Sequence, residues 1–482
     1  MPATNRPSRG KDRRMRDVLL LALLPVLLYA MLQRPFIALA MWPWTALFFP
    51  NGWVYGAASS IRYNLLFAGV TILTYLIQKN KPKFHLTGLG VMILLFFIWT
   101  TISTAMALSP SAVAWEHWNR FSKVVALFVF ILAIVEKKLH IDVLLWGVVL
   151  SVGFYGSLEA LKYLASGGNH MIAGMTGHVL GDRNELALAF VMTLPICVYL
   201  LGEYGARSRL LQLGLIGVMC MLVFAVIGTQ SRGGFMALLA LGGYLFLKSE
   251  RKGLLTVLTV IVVAVLANVA SSEWAARIDT IESANEDASF MGRVVAWKLS
   301  FILATQNPFF GGGFKALETF TVWAQLSTHF HEYAWFYTGD ALPTTTFARA
   351  AHSVYFQVLG DHGFVGLFIY LACLVTAWRK AGRAAKKVKR AGGPVWLSTM
   401  STMIQLSIFA FAFGGAALSF AYFDLIFTLF GLTIVIEKRL VPAELAKLAP
   451  AAVSKVAIRR PHASPAGLEE VRILRRGHDK TA

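Results

Sequence analysis

A chain of 482 residues that is 57% hydrophobic and only 15% charged, with a mean hydropathy of +0.61, is too apolar for an ordinary soluble domain. Its apolar residues come in continuous runs and not in alternation, which excludes a β-barrel and leaves an all-α polytopic integral membrane protein. The net charge of +20 is carried by the tails and the short connections, with no nucleic-acid-binding module beside it, so it reads as a topology signal with an added attraction to anionic membrane lipids.

In chain order, residues 1–16 form a basic tail expected in the cytoplasm. Nine apolar spans are expected in 17–270, near 17–49, 63–78, 87–108, 121–135, 141–163, 185–203, 209–227, 231–247 and 253–270. A large, partly helical loop over 271–351 follows, too long for a simple connector and expected in the periplasm. Spans near 353–378, 399–419 and 421–437 complete the 352–437 region and bring the total to about 12 transmembrane helices. Residues 438–482 form a second basic tail.

The first region is divided by Arg34-Pro35, so it holds either two spans or one span and an interfacial helix. Charge favours a single crossing. Lys79, Lys81, Lys83, Lys137, Lys138, Arg207, Arg209, Lys248, Arg251, Lys252 and the run from Arg379 to Arg390 then all fall on the cytoplasmic side. The first apolar stretch lacks a small-residue cleavage site and reads as a retained helix. Cys197, Cys220 and Cys373 each lie inside an apolar run, where a thiol is a packing residue and implies neither disulfide nor metal framework.

This topology sends Asn51–Arg62, Ser109–Arg120, Ser166–Asn184, the turn at Gly228–Gly234 and the long loop to the outer face. Arginine should be scarce there, yet Arg183, Arg232 and Arg293 each stand at a membrane boundary, which points to an anionic ligand. Arg232 is the sharpest case, because Thr229-Gln230-Ser231-Arg232-Gly233-Gly234 joins two apolar helices with almost no solvated loop. A guanidinium fork matches phosphate oxygens bidentately, and the glycines would let a diphosphate approach the backbone. The competing reading is an arginine snorkelling to a lipid headgroup.

The long loop carries eight acidic and five basic residues, so Arg293 is not one of a generally cationic surface. Val294, Trp297, Leu299 and Ile302 recur at helical spacing and predict a surface helix over 292–304. Asn307-Pro308 stops it, and Gly311-Gly312-Gly313 reads as a flexible turn, since no Lys-Ser/Thr of a P-loop follows. His329 and His331 with Glu332 have spacing that could bind a metal but lie on an irregular segment. His352 differs, because it opens a span at the outer interface, where a titratable side chain suits proton transfer; helix capping is the alternative. His362 falls about ten residues or 15 Å further along the same expected helix, outside that site.

These features together resemble the bacterial O-antigen ligase and polymerase superfamily over about residues 60–440. The carriers are Gly181-Asp182-Arg183-Asn184-Glu185-Leu186-Ala187, the Thr229–Gly234 run, Gly292-Arg293, Asn307-Pro308 to Phe314, and His352-Ser353-Val354-Tyr355-Phe356-Gln357 with Gly363. The N-terminal third also looks like the exosortase-associated O-glycosylation ligases. The resemblance implies transfer of a glycan from undecaprenyl diphosphate to an acceptor hydroxyl, in ligases a lipid A core sugar, without a metal or other cofactor.

The residues suit that chemistry. Arg232 and Arg293 would stabilise charge on the leaving diphosphate, and His352 would take the acceptor proton in an inverting displacement, a role an acidic residue of the loop could also fill. Arg183, Asn184, Ser231, Gly233 and Tyr355 are the candidate substrate-binding residues. Trp297, Trp323, Tyr333 and Trp335 are candidates for sugar stacking or for the lipid interface. A polymerase or a protein O-oligosaccharyltransferase would use the same donor. A lipid-linked sugar flippase would call for ionisable residues near mid-membrane, whereas here the polar residues gather on one face.

Overall fold

The computed structural model describes residues 8–248, 253, 260, 288–334, 343 and 346–448. Most of the expected span at 253–270, the loop residues 271–287, Trp335 and the tail beyond 448 lie outside them.

Every regular element among the described residues is helical. Eight helical stretches are long and apolar enough to cross a membrane. They are α1 (Ser8–Gln33), α4 (Gly88–Ala105), α5 (Ser111–Ile134), the pair α6 (Lys138–Val148) and α7 (Phe154–Ala165), α8 (Arg183–Tyr204), α9 (Arg209–Gly228), α13 (Val354–Arg390) and α14 (Val395–Gly414). A π turn at Val149–Gly153 makes α6 and α7 one span. Shorter apolar helices are α2 (Pro35–Phe48), α3 (Tyr63–Ile77), α10 (Arg232–Lys248) and α15 (Asp424–Val435), the last running through a π turn into α16 (Val441–Ala446). The extent of the bundle thus follows the apolar runs, while the expected twelve spans become eight of full length among the described residues.

The Arg34-Pro35 division is real. The α1 helix stops at Gln33, Arg34 is extended, and Pro35 opens α2, a position where its missing N–H costs nothing. With 14 residues, α2 covers about 21 Å, short of a bilayer core, and it packs into the bundle against α3 and α6. At the centre stands α8, buried on nearly all sides by α9, α10 and α14. It contains Pro195, and the Ser407 hydroxyl of α14 donates to the Met192 carbonyl at 2.8 Å in the turn that Pro195 disturbs.

The described part of the long loop has its own small core. Helix α11 (Ala288–Gln306) buries Val295, Leu299, Ile302 and Leu303 against Trp323 and Leu326 of α12 (Phe320–Thr328) and against Phe330. The spacing that predicts a helix over 292–304 is therefore right, and its inner face is shifted by one residue at the start, to Val295 instead of Val294.

The segment after α11 is a built joint and not the flexible turn expected. Helix α13 is broken at Gly363, whose φ of 69° lies in the left-handed region. Into the break fits the segment 307–314: Gly312 N–H donates to the Gly360 carbonyl at 2.8 Å, Gly313 N–H to the Asp361 carbonyl at 2.8 Å, and Phe364 N–H to the Pro308 carbonyl at 2.9 Å. The Ser103 hydroxyl of α4 lies against the Phe310 and Asp361 carbonyls and 2.9 Å from the His362 ring, so three elements share the joint. A Cβ at Gly311 would lie 2.5 Å from the Gly363 nitrogen, which is why the contact needs glycine. The kink also ends the straight-helix picture of His362, which lies fully buried among Phe96, Phe314 and Tyr422.

Candidate functional site

Two helix N-termini and the start of α13 assemble the candidate site. At the first, the Asp182 carboxylate accepts the Asn184 N–H at 2.8 Å and caps α8, leaving Arg183 on its first turn. At the second, α9 ends in a tight turn in which Gln230 takes a φ of 51°. The Ser231 hydroxyl then accepts the Gly234 N–H at 3.1 Å, a capping bond for α10, and donates to Asn184 Oδ1 at 2.7 Å. Asn184 and Ser231 are both buried, so these two of the five residues named for substrate binding bond each other and hold two helix starts together.

The glycines serve the same end. A Cβ on Gly233 would come to 2.9 Å from the Ala417 Cβ, and one on Gly234 to 2.4 Å from the Ala187 Cβ. Both permit α10 to lie against its neighbours, and Gly233 also opens onto the cavity described next.

Arg232, at the start of α10, and Arg293, on α11, line one cavity of about 410 Å³. Its wall is completed by Gly233, Met236, Phe290, the end of α14 at Ala412 and Phe413, and Ala416 and Ala417 in the turn that follows it. Two guanidinium-bearing residues far apart in the chain thus face an otherwise apolar space, an arrangement suited to an anionic group attached to a lipid. Tyr355 stands behind the wall, its hydroxyl donating to the Ala412 carbonyl in a short bond. It shapes the cavity from outside. Arg183 is not on the wall, and its Nη1 lies 3.4 Å from the Met171 sulfur.

His352 is held one step away. Trp297, one turn after Arg293 on α11, donates its indole N–H to the Ala351 carbonyl at 2.7 Å and stacks on Phe356 at 5.3 Å between ring centroids. This pins the chain on both sides of His352, which itself takes a φ of 46°. The His352 imidazole is held below its ordinary pKa, first by burial and then by the positive charge of Arg293, with Asp182 and Glu318 opposing and Arg349 adding to the effect. It is not on the cavity wall but shares Arg293 with it, and it is biased toward the neutral form a base requires.

The aromatic candidates are corrected by this packing. Trp323 is fully buried in the loop core and cannot present a face to a sugar. Trp297 is occupied by Phe356 and Ala351, and the Tyr333 hydroxyl lies 3.0 Å from Thr305 Oγ1. Among the described residues no group of three or more His, Cys, Asp or Glu could hold a metal ion. His329 Nδ1 instead lies 2.6 Å from Glu332 Oε1 in an exposed local pair. Arg349 and Glu318 are the neighbours of His352 that the sequence did not single out. Glu318 takes the Lys315 ammonium on both oxygens, at 2.7 and 2.8 Å, and Arg349 lies against Gly292 beside Arg293.

Fold and site together define a multi-pass membrane protein with an arginine-lined cavity at one end of its bundle. Residues 216–371, which carry Arg232, Arg293, His352 and Tyr355, match a family model described as O-antigen ligase, a match that supports membership of that superfamily. Residues 15–205, which carry Arg183 and Asn184, match a model described as a family of unknown function. Comparison with curated proteins gave no match. The match supports glycosyl transfer of the ligase or polymerase type in general, a class that works on lipid-linked glycans.

Proposed function

We propose that the protein is an O-antigen ligase of the inner membrane that transfers a glycan from undecaprenyl diphosphate to a sugar hydroxyl of the lipid A core on the periplasmic side. The observation that carries this reading is the placement of Arg232 and Arg293 on one cavity, with His352 beside Arg293. The acceptor oxygen attacks the anomeric carbon as the bond from that carbon to the diphosphate oxygen breaks, inverting the configuration. The two arginines stabilise the charge left on the diphosphate, and His352 takes the acceptor proton. Charge development is met by fixed guanidinium groups, so the reaction calls for no divalent ion in this scheme.

Purified protein supplied with undecaprenyl-diphosphate-linked glycan and lipid A core tests the reading. A ligase gives glycan joined to the core. Longer lipid-linked chains would instead identify a polymerase, and glycan on added protein an oligosaccharyltransferase.

A further inference from the structure

We infer that the C-terminal turns of α13 form a binding site for the phosphate-bearing headgroup of an anionic membrane phospholipid, at the end of the bundle opposite the arginine cavity. Beyond the break at Gly363, the 27 residues of α13 from 364 to 390 run about 40 Å, while the hydrocarbon core is about 30 Å thick, so its last turns emerge from the membrane at the headgroup layer. There the helix is divided into two faces. Ala381, Gly382, Ala384, Ala385 and Val388 are buried against the bundle, and Gly382 lies so close to Gln405 that a Cβ would meet its amide at 2.3 Å. The opposite face cannot rotate away from solvent.

That face carries Arg383, Lys386, Lys387 and Arg390, at the i, i+3, i+4 and i+7 spacing that puts side chains in one stripe. All four are exposed and line one shallow, open depression of the surface together with Ala391. None is ion-paired to an acidic side chain among the described residues, although Lys380, one turn above, is paired with Glu437 at 2.6 Å. Cations near a helix C-terminus are favoured by the helix dipole and by the positive-inside rule, which explains their sign. Neither effect explains why these four line one depression at mutual repulsion while Arg379, on the same stripe one turn earlier, and Lys389, in the same last turn, do not. A phosphodiester held between them relieves that repulsion, and the emergence of the helix at the headgroup layer selects a lipid as its source.

The inference is independent of the transfer reaction. Its test uses the full-length protein in detergent, titrated with cardiolipin or phosphatidylglycerol and read by native mass spectrometry as bound lipid per protein. Lys386→Gln with Lys387→Gln should weaken binding roughly tenfold or more, while Arg379→Gln with Lys389→Gln should change it less than about twofold. All four positions are exposed, and matching unfolding temperatures will show that both variants are folded. Equal weakening in the two variants would mean diffuse charge attraction and overturn the site. So would no weakening in the first variant, equal binding of phosphatidylcholine, or competition by inorganic phosphate at the same concentration as the lipid.

Discussion

The Ser231 hydroxyl donates to Asn184 Oδ1 at 2.7 Å, joining two buried side chains and tying the start of α10 to the start of α8. Arg232 is the next residue, so its direction into the cavity depends on this bond. Ser231→Ala removes the α10 cap as well as the tie, and should lower stability by about 1 kcal/mol. It should also reduce transfer by up to about 10²-fold, through displacement of Arg232. Thermal unfolding and kcat/KM measured on one preparation check both effects, and unchanged kcat/KM would remove Ser231 from the positioning of Arg232.

For His352 the sign of the pH dependence follows from its surroundings. Burial and Arg293 hold its pKa below the ordinary 6.5, so the acid limb of the rate profile should lie below pH 6.5. Arg349 pushes in the same direction, so Arg349→Gln should move that limb upward. The same depression bears on stability. The unfolded chain binds the proton more tightly, so the contribution of His352 is full above pH 6.5 and falls as the pH drops from there toward the folded pKa. A limb that moved down in Arg349→Gln would contradict this electrostatic picture.

His352→Ala should separate binding from chemistry. A neutral base adds little to holding a diphosphate, so donor affinity should be nearly unchanged while the single-turnover rate falls roughly 10²- to 10⁴-fold. Lost affinity would make His352 a diphosphate ligand, and an unchanged rate would make it structural.

The helices were legible because each is announced by an uninterrupted apolar run, and even the break at Arg34-Pro35 and the helix carrying Arg293 could be read from local signals. The arginines and His352 were legible because charge at an apolar boundary is conspicuous. Partners were not. Nothing local to Asn184 or Ser231 reveals that they bond each other across the chain, and Trp323 looks the same in sequence whether it faces a sugar or a core. The Gly311-Gly312-Gly313 run reads as flexible because composition reports conformational freedom and not what the backbone will dock against. The break in α13 at Gly363 was missed for the same reason: glycine in an apolar run is ordinary until another segment supplies the missing hydrogen bonds.

That joint yields its own prediction. A Cβ at Gly363 would sit 2.5 Å from the Phe309 carbonyl and 2.6 Å from that of Pro308, in a φ of 69°. Gly363→Ala should therefore cost more than about 1–3 kcal/mol and release the 307–314 segment from α13. Gly69→Ala, inside α3 with nothing within 4 Å, is the control and should not lower the unfolding temperature. Equal unfolding temperatures for the two variants would show that the joint contributes little.

Transfer should persist in EDTA, because Arg232 and Arg293 occupy the place a divalent ion takes in metal-dependent glycosyl transfer. Complete loss of turnover, restored by added Mg²⁺ or Mn²⁺, would count against the arginine assignment.

The central claim is that Arg232 and Arg293 act together on the diphosphate of a lipid-linked donor. The direct measurement is the single-turnover rate with undecaprenyl-diphosphate-linked glycan for Arg232→Ala, Arg293→Ala and the corresponding lysine variants, each confirmed as inserted and folded. The account predicts a loss of roughly 10² to 10³ for either alanine variant and partial recovery with lysine, which keeps the charge but not the fork. Full turnover at low donor concentration in either alanine variant would contradict it.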